Sequence, residues 1–383
     1  MAVVWLAIGI VGPDAGLLFA ASNAVILAVS LTGGLFADRF EARTMMIASD
    51  LAAALFAVVP VVAAAFVGLS FASLVASIVG LAVCGALFQP ALLSGVPRLA
   101  GTRERIQGTN ALLDATSRLS RLAGPFLAGL LSLLLAPLYF LVVNALSYLL
   151  SAAAVASVGR AMDGAGPAPS IPILKRLTRG YDSVARQPTA RLFLAANTAV
   201  LAAWTIGLVL GLPFLVATSG VTGLGLTGLG AVAALMAAYG AGDFLSNVLV
   251  AGARPRRVGR FMFTGYVILG GALALVPLPL LLLPEAVRLP GMTMAAFATG
   301  MGGPMFFIPM MTFLQTHIDG PDLASVIRLR LALIAASMML GAALAPLMFR
   351  EIGVVATVVA AGSAIAAIGL WGALRHPDLG AEG

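Results

Sequence analysis

Apolar residues along the chain fall into long runs separated by short polar stretches, and the runs have the length of a bilayer crossing. A hydrocarbon core takes ~20 consecutive apolar residues per helix. That length places spans at 16–36, 44–67, 71–95, 110–135, 138–158, 191–217, 224–251, 258–283, 290–314, 324–348 and 352–374. Helices are predicted because a bilayer core has no water to take up backbone N–H and C=O groups, and a helix satisfies them internally. A membrane β-barrel would instead alternate polar and apolar residues over ~10-residue stretches. Ahead of the first span, Met1–Gly12 is apolar but too short to cross, and it lacks the basic leader of a signal peptide. It reads as the second half of a first helix whose beginning lies upstream, giving about twelve helices in all.

The basic residues test this map. Calling the side with Arg39 and Arg43 inside and letting the spans alternate, only Arg288 and Arg350 of the 22 Lys and Arg fall outside. Such a bias is what the positive-inside rule expects, and one span too many or too few would scramble it. The net charge of +7 therefore encodes orientation, and no nucleic-acid partner is expected. Localisation is read as a multi-pass protein of a bacterial inner membrane with a cytoplasmic C-terminus. Composition agrees: 61% of residues are hydrophobic and 10% charged, against about a quarter charged in soluble domains. Cys84 is the single cysteine and the only histidines are His317 and His376, so neither a disulfide nor a metal site is expected.

One long polar stretch, Gly159–Pro188, divides the chain. It opens Gly/Pro-rich and continues as LKRLTRGYDSVARQ, which suits a surface amphipathic helix. The two sides resemble each other: Arg43 and Arg260 stand 217 residues apart, as do Gly124 and Gly341, and Pro90 and Pro309 are 219 apart. The expected organisation is a six-helix half over 1–158 with helix 1 incomplete, a cytoplasmic linker over 159–190, a second six-helix half over 191–376 and a cytoplasmic tail over 377–383.

The stretch GGLFADRFEART, residues 33–44, resembles motif A of the major facilitator superfamily through Gly33, Gly34, Asp38, Arg39 and Arg43. Glycines there let helix ends approach, the Asp accepts from a helix N-terminus and the arginines bridge cytoplasmic ends. Residues 88–129 resemble the macrolide-efflux-like and enterobactin-exporter-like branch, and Gly124, Pro125 and Gly129 partly match an antiporter motif of close packing and bending. The resemblance implies an all-α major-facilitator fold and a secondary exporter of drugs, siderophores or lipid-like amphiphiles by alternating access. Two features depart from the family pattern: the span 71–95 carries no arginine, and Pro255 stands where the second half would repeat the motif aspartate.

Ionisable residues inside a span cost at least ~2.5 kcal/mol each, so each needs a reason. Asp114, Arg118 and Arg121 share a face with Pro125; they form either a charged path or an ion pair tying down one helix end. Asp243, with Tyr239 and Asn247 on its face, is the best-placed acid of the second half for proton coupling, or else an interhelical hydrogen-bond partner. Asp50 reads as structural, pairing with motif arginines or with helix 2 ends, with proton coupling as the other role. Asn23, Asn144, Tyr148, Asn197 and Trp204 are candidate cavity residues, and equally candidate interhelical hydrogen bonds. Met305, Phe306, Phe307, Met310 and Met311 suit an adaptable apolar wall.

No phosphate loop GxxxxGK[ST] and no catalytic constellation is present in the sequence, so neither an ATP-driven pump nor an enzyme is expected and no cofactor is required. The expected partners are a small-molecule substrate and membrane lipids, with a proton gradient as the driving force. A lipid or lysolipid flippase on the same fold is the nearest alternative, and a non-transporting or truncated membrane protein the alternative from another class.

Overall fold

The computed structural model describes residues 2–32, 41–100, 134–158, 180–253, 255–318 and 320–379, with isolated positions between 109 and 132. Among them every regular element is helical, and ten stretches are long and apolar enough to cross a membrane. Contacts divide the chain into two units: Met1–Ser120 with Leu135–Arg176, and Arg121–Leu134 with Leu177–Gly383.

The first unit contains α1 (Ala2–Val11), α2 (Ala15–Thr32), α3 (Ala42–Phe66), α4 (Phe71–Ala100) and α5 (Tyr139–Ser157). Gly12, at φ +56°, ends α1, and Pro13 opens the short turn before α2. A left-handed glycine stops a helix and a proline suits the first position of the next. In α3 the buried positions are Ala42, Met46, Ser49, Asp50, Ala53, Ala54, Ala57 and Pro60, a single stripe of mostly small residues. Its large side chains point away: Leu55 is 69% exposed and Phe66 83%. Lipid solvates large apolar groups as well as a protein core does, so small residues take the helix contacts.

The second unit begins with α6 (Pro188–Trp204), a wider turn of π type over Thr205–Leu210, and α7 (Gly211–Ser219), which together form one span. It continues with α8 (Leu229–Ala251), α9 (Val258–Leu275), α10 (Leu278–Leu282), α11 (Glu285–His317), α12 (Gly320–Glu351) and α13 (Val354–Arg375). Several predicted boundaries shift by a few residues, as where 71–95 runs on to Ala100 and 324–348 widens to Gly320–Glu351, and two of the shifts have a visible cause. The span placed at 224–251 starts at Leu229, because Leu224, Gly225 and Gly228 adopt positive φ and Gly223 bridges to Leu226 in a tight turn. The span placed at 290–314 extends to Glu285 and His317 and runs through Pro290, Pro304 and Pro309; neighbouring helices stabilise a membrane helix across prolines that would break one in water. The predicted span 110–135 falls largely outside the described residues.

Backbones in the second unit touch where glycines meet. A Cβ on Gly242 of α8 would overlap the Phe297 carbonyl of α11, and one on Gly300 the Tyr239 carbonyl; Gly270 of α9 and Gly362 of α13 are related in the same way. At one end of this unit, the Gln187 amide donates to the His317 carbonyl at 2.6 Å and the Arg260 N–H to the Pro377 carbonyl at 2.9 Å. Arg257 pairs with Asp378 there at 3.7 Å. Gly265 of α9 lies against Met305 of α11 and Gly302 against Leu269, an antiparallel crossing, so the segments before α6, after α11, before α9 and after α13 share one end, as alternating spans require.

Candidate functional site

Of the residues singled out in the sequence, Gly33, Gly34, Asp38, Arg39, Asp114, Arg118, Arg121, Pro125 and Gly129 lie outside the described residues. Arg43, at the start of α3, donates through Nη2 to the Ala156 carbonyl at 2.7 Å. Ala156 is in the last turn of α5, where a cation suits both the orphan carbonyls and the helix dipole. The expected Asp50 pairing is thus not made by Arg43. A Cβ on Gly124 would meet nothing within 4 Å among the described residues.

In the first unit Asp50 is 4% exposed, and its Oδ2 has no hydrogen-bond partner among the described residues. The groups bearing on it are Ser151 and Tyr148 of α5 and Cys84 of α4, with Asn144 one turn from Tyr148 on the same face. The α3 stripe places Asp50 inward, and Ala54, Ala57 and Ala145 pack beside it closely enough to bring α5 against α3. Residues from three separate spans of the sequence, Asp50, Cys84 and the pair Asn144 and Tyr148, therefore come together. Asn23 does not join them: its amide donates to the Phe19 carbonyl of its own helix at 2.8 Å.

The second unit holds two polar groupings. On α8, the Asn247 amide donates to the Asp243 carboxylate at 3.1 Å, and Ser246 donates to the Met301 carbonyl of α11 at 2.6 Å. One turn before Asp243, the Tyr239 ring lies 6.4 Å from Trp204, the residue that leads into the π turn. The second grouping centres on Asn197 of α6, which is 7% exposed. The Tyr266 hydroxyl of α9 donates to its Oδ1 at 3.4 Å, while its Nδ2 has no acceptor among the described residues. Tyr266 stacks on Phe306 at 4.1 Å, and Phe306 meets Phe193 edge-on at 5.9 Å. Arg330 of α12 lies over the adjacent Phe307 ring at 4.9 Å.

Tyr266 and Arg330 were not among the residues the sequence reading picked out. Tyr266 carries no signal there, since a tyrosine in an apolar run is ordinary. Arg330 does carry one: it falls within the predicted span 324–348, where a charge is costly. The aromatic wall expected around Phe306 is divided in two. Phe306 and Met310 are completely buried, and Phe307 is 38% exposed.

The Major Facilitator Superfamily profile matches residues 1–346. No curated protein matches the chain. Among solved structures, a mutant peptide transporter POT in complex with sulfate superposes with a TM-score of 0.73 over 98% of this chain and 88% of that chain, at 15% identity. The same kind of mutant in complex with alafosfalin gives 0.69 over 97% and 88%, also at 15% identity. A POT family transporter in complex with 5-aminolevulinic acid gives 0.67 over 95% and 88%, at 13% identity. At such identities the likeness carries the fold and not the cargo. With its apolar spans in this arrangement and the profile spanning most of its length, the chain is a multi-pass membrane transporter that belongs to the Major Facilitator Superfamily.

Proposed function

We propose that the protein exports a small amphipathic molecule by alternating access, coupled to proton influx, from the cytoplasm across a bacterial inner membrane. The observation that carries the coupling is Asp50, a carboxylate enclosed within a membrane span with one oxygen that no described residue partners. An anion left so is costly, and a bound proton neutralises it. Proton binding is thus the role that gives this acid a reason to be where it is. Asp243, held by Asn247, is the matching acid of the second unit. The exporter reading rests on the resemblance of residues 88–129 to the macrolide-efflux-like and enterobactin-exporter-like branch, and cytoplasmic placement of the basic end rests on the charge bias.

Proteoliposomes with an imposed pH gradient test this, using an amphipathic dye, a siderophore and a dipeptide as separate cargoes. Gradient-driven accumulation of the dye or siderophore is expected. Asp50→Asn is expected to lower accumulation at least ~10-fold, as loss of a proton-transfer group does, while exchange of labelled for unlabelled cargo continues without a gradient. Unchanged accumulation removes Asp50 from the coupling, and movement of the dipeptide alone replaces the exporter reading with peptide transport.

A further inference from the structure

Arg330 sits inside the apolar stretch Ser325–Glu351, where a cation is retained only for a purpose. Its Nε–H is buried, and among the described residues it has no acceptor and no carboxylate pairs with it. The Phe307 ring beneath it is attracted to the positive charge but accepts none of the in-plane hydrogen bonds that a guanidinium offers. The ring therefore leaves the Nε–H without an acceptor.

Three contacts fix where Arg330 stands. Ser183 donates to Asp322 and Ser337 to the Thr198 carbonyl, both 139 residues apart in sequence, so α6 and α12 run side by side in the same direction. A Cβ on Gly341 would meet Ala202, again on that offset. Arg330 is accordingly level with Arg191 and enters about 9 Å short of Asn197 along the helix axis, at 1.5 Å per residue. A long side chain spans most of that distance, and the Phe307 ring that Arg330 covers follows Phe306, on which Tyr266, the hydrogen-bond partner of Asn197, is stacked. Arg330 Nε and Asn197 Nδ2 are thus two donors without acceptors among the described residues, linked through the Phe307–Phe306 pair and Tyr266. Phe307, partly exposed, offers the apolar face beside them.

We propose that Arg330 is an anion-binding subsite for the transported molecule. It takes a carboxylate or similar oxyanion of an amphiphile whose apolar ring rests on Phe307, with the Asn197–Tyr266 pair as the polar floor behind it. A planar guanidinium matches a carboxylate with two parallel hydrogen bonds, and exclusion of water strengthens them. This deepens the export reading and rests on it, because it names the class of cargo.

Equilibrium binding to the full-length protein in phosphatidylcholine nanodiscs tests the subsite with two labelled probes of equal shape, 1-naphthoate and neutral 1-naphthalenemethanol. Naphthoate is expected to bind about tenfold more tightly, the scale of one hydrogen-bonded charge. Arg330→Gln is expected to reduce naphthoate to the level of the alcohol and leave the alcohol unchanged. No preference for the anion in the wild type, or a preference that survives in Arg330→Gln, overturns the proposal. Should Arg330→Gln not fold, Arg330→Lys decides: a several-fold loss of naphthoate binding supports a fork contact, and unchanged binding refutes it. Phosphatidylglycerol added to the nanodiscs separates cargo from lipid. Displacement of naphthoate by it overturns the assignment to a transported solute, and indifference to it supports that assignment. Binding is read without a gradient, so a protein that holds naphthoate through Arg330 yet moves nothing fails the transport reading alone.

Discussion

Polar side chains inside these spans divide according to whether their own helix can satisfy them. Asn23, Thr198, Thr205 and Thr299 each donate to a carbonyl four residues back, at 2.7–2.8 Å. Such bonds cost little and need no neighbour. Asp50, Asn197 and Arg330 each keep an atom that no described residue satisfies. The sequence names the first two but cannot sort them from Asn23, because helical spacing shows which face a residue occupies and not whether the facing helix has a donor. Only when α9 brings Tyr266 to α6 does Asn197 become half of a pair. Tyr266→Phe is expected to lower stability by about 1 kcal/mol by leaving the Asn197 Oδ1 without its donor, read as a lower unfolding midpoint in detergent.

Helix contacts in the second unit depend on positions where no side chain is present. Gly300 of α11 lies against the Tyr239 carbonyl, whereas a Cβ on Gly271 of α9 meets nothing within 4 Å among the described residues. Gly300→Val is therefore expected to force α8 and α11 apart and destabilise by ~1–3 kcal/mol. Gly271→Ala should be neutral or stabilising by up to ~1 kcal/mol through helix propensity. Melting curves of the two variants beside the wild type check both, and equal midpoints would falsify the backbone-contact account. The sequence shows both glycines alike as small residues in apolar runs. Helix limits are more readable: 44–67 against Ala42–Phe66 and 352–374 against Val354–Arg375. Run length is set by the bilayer and can be counted, whereas partner choice is set by surfaces that only the packed helices create. Prolines mislead in the same way, as the unbroken α11 shows.

Across the whole sequence the bias of basic residues implies an orientation, and the joined end of the second unit is compatible with the alternation it assumes. A reporter enzyme fused after Gly252 and one fused after Gly383 should report the same compartment, and one fused after Leu283 the opposite one. All three in one compartment would undo the span count. The π turn has a consequence of its own. Its wider hydrogen-bond ring holds one residue more than an α turn, so Thr205–Leu210 offsets the angular phase of α6 from that of α7. Deleting Val209 would restore a regular ladder and swing Pro188–Trp204 by ~100°, the angle one residue subtends. Asn197 would then face away from Tyr266, so this single surplus residue sets the aim of the polar side chain twelve positions before it.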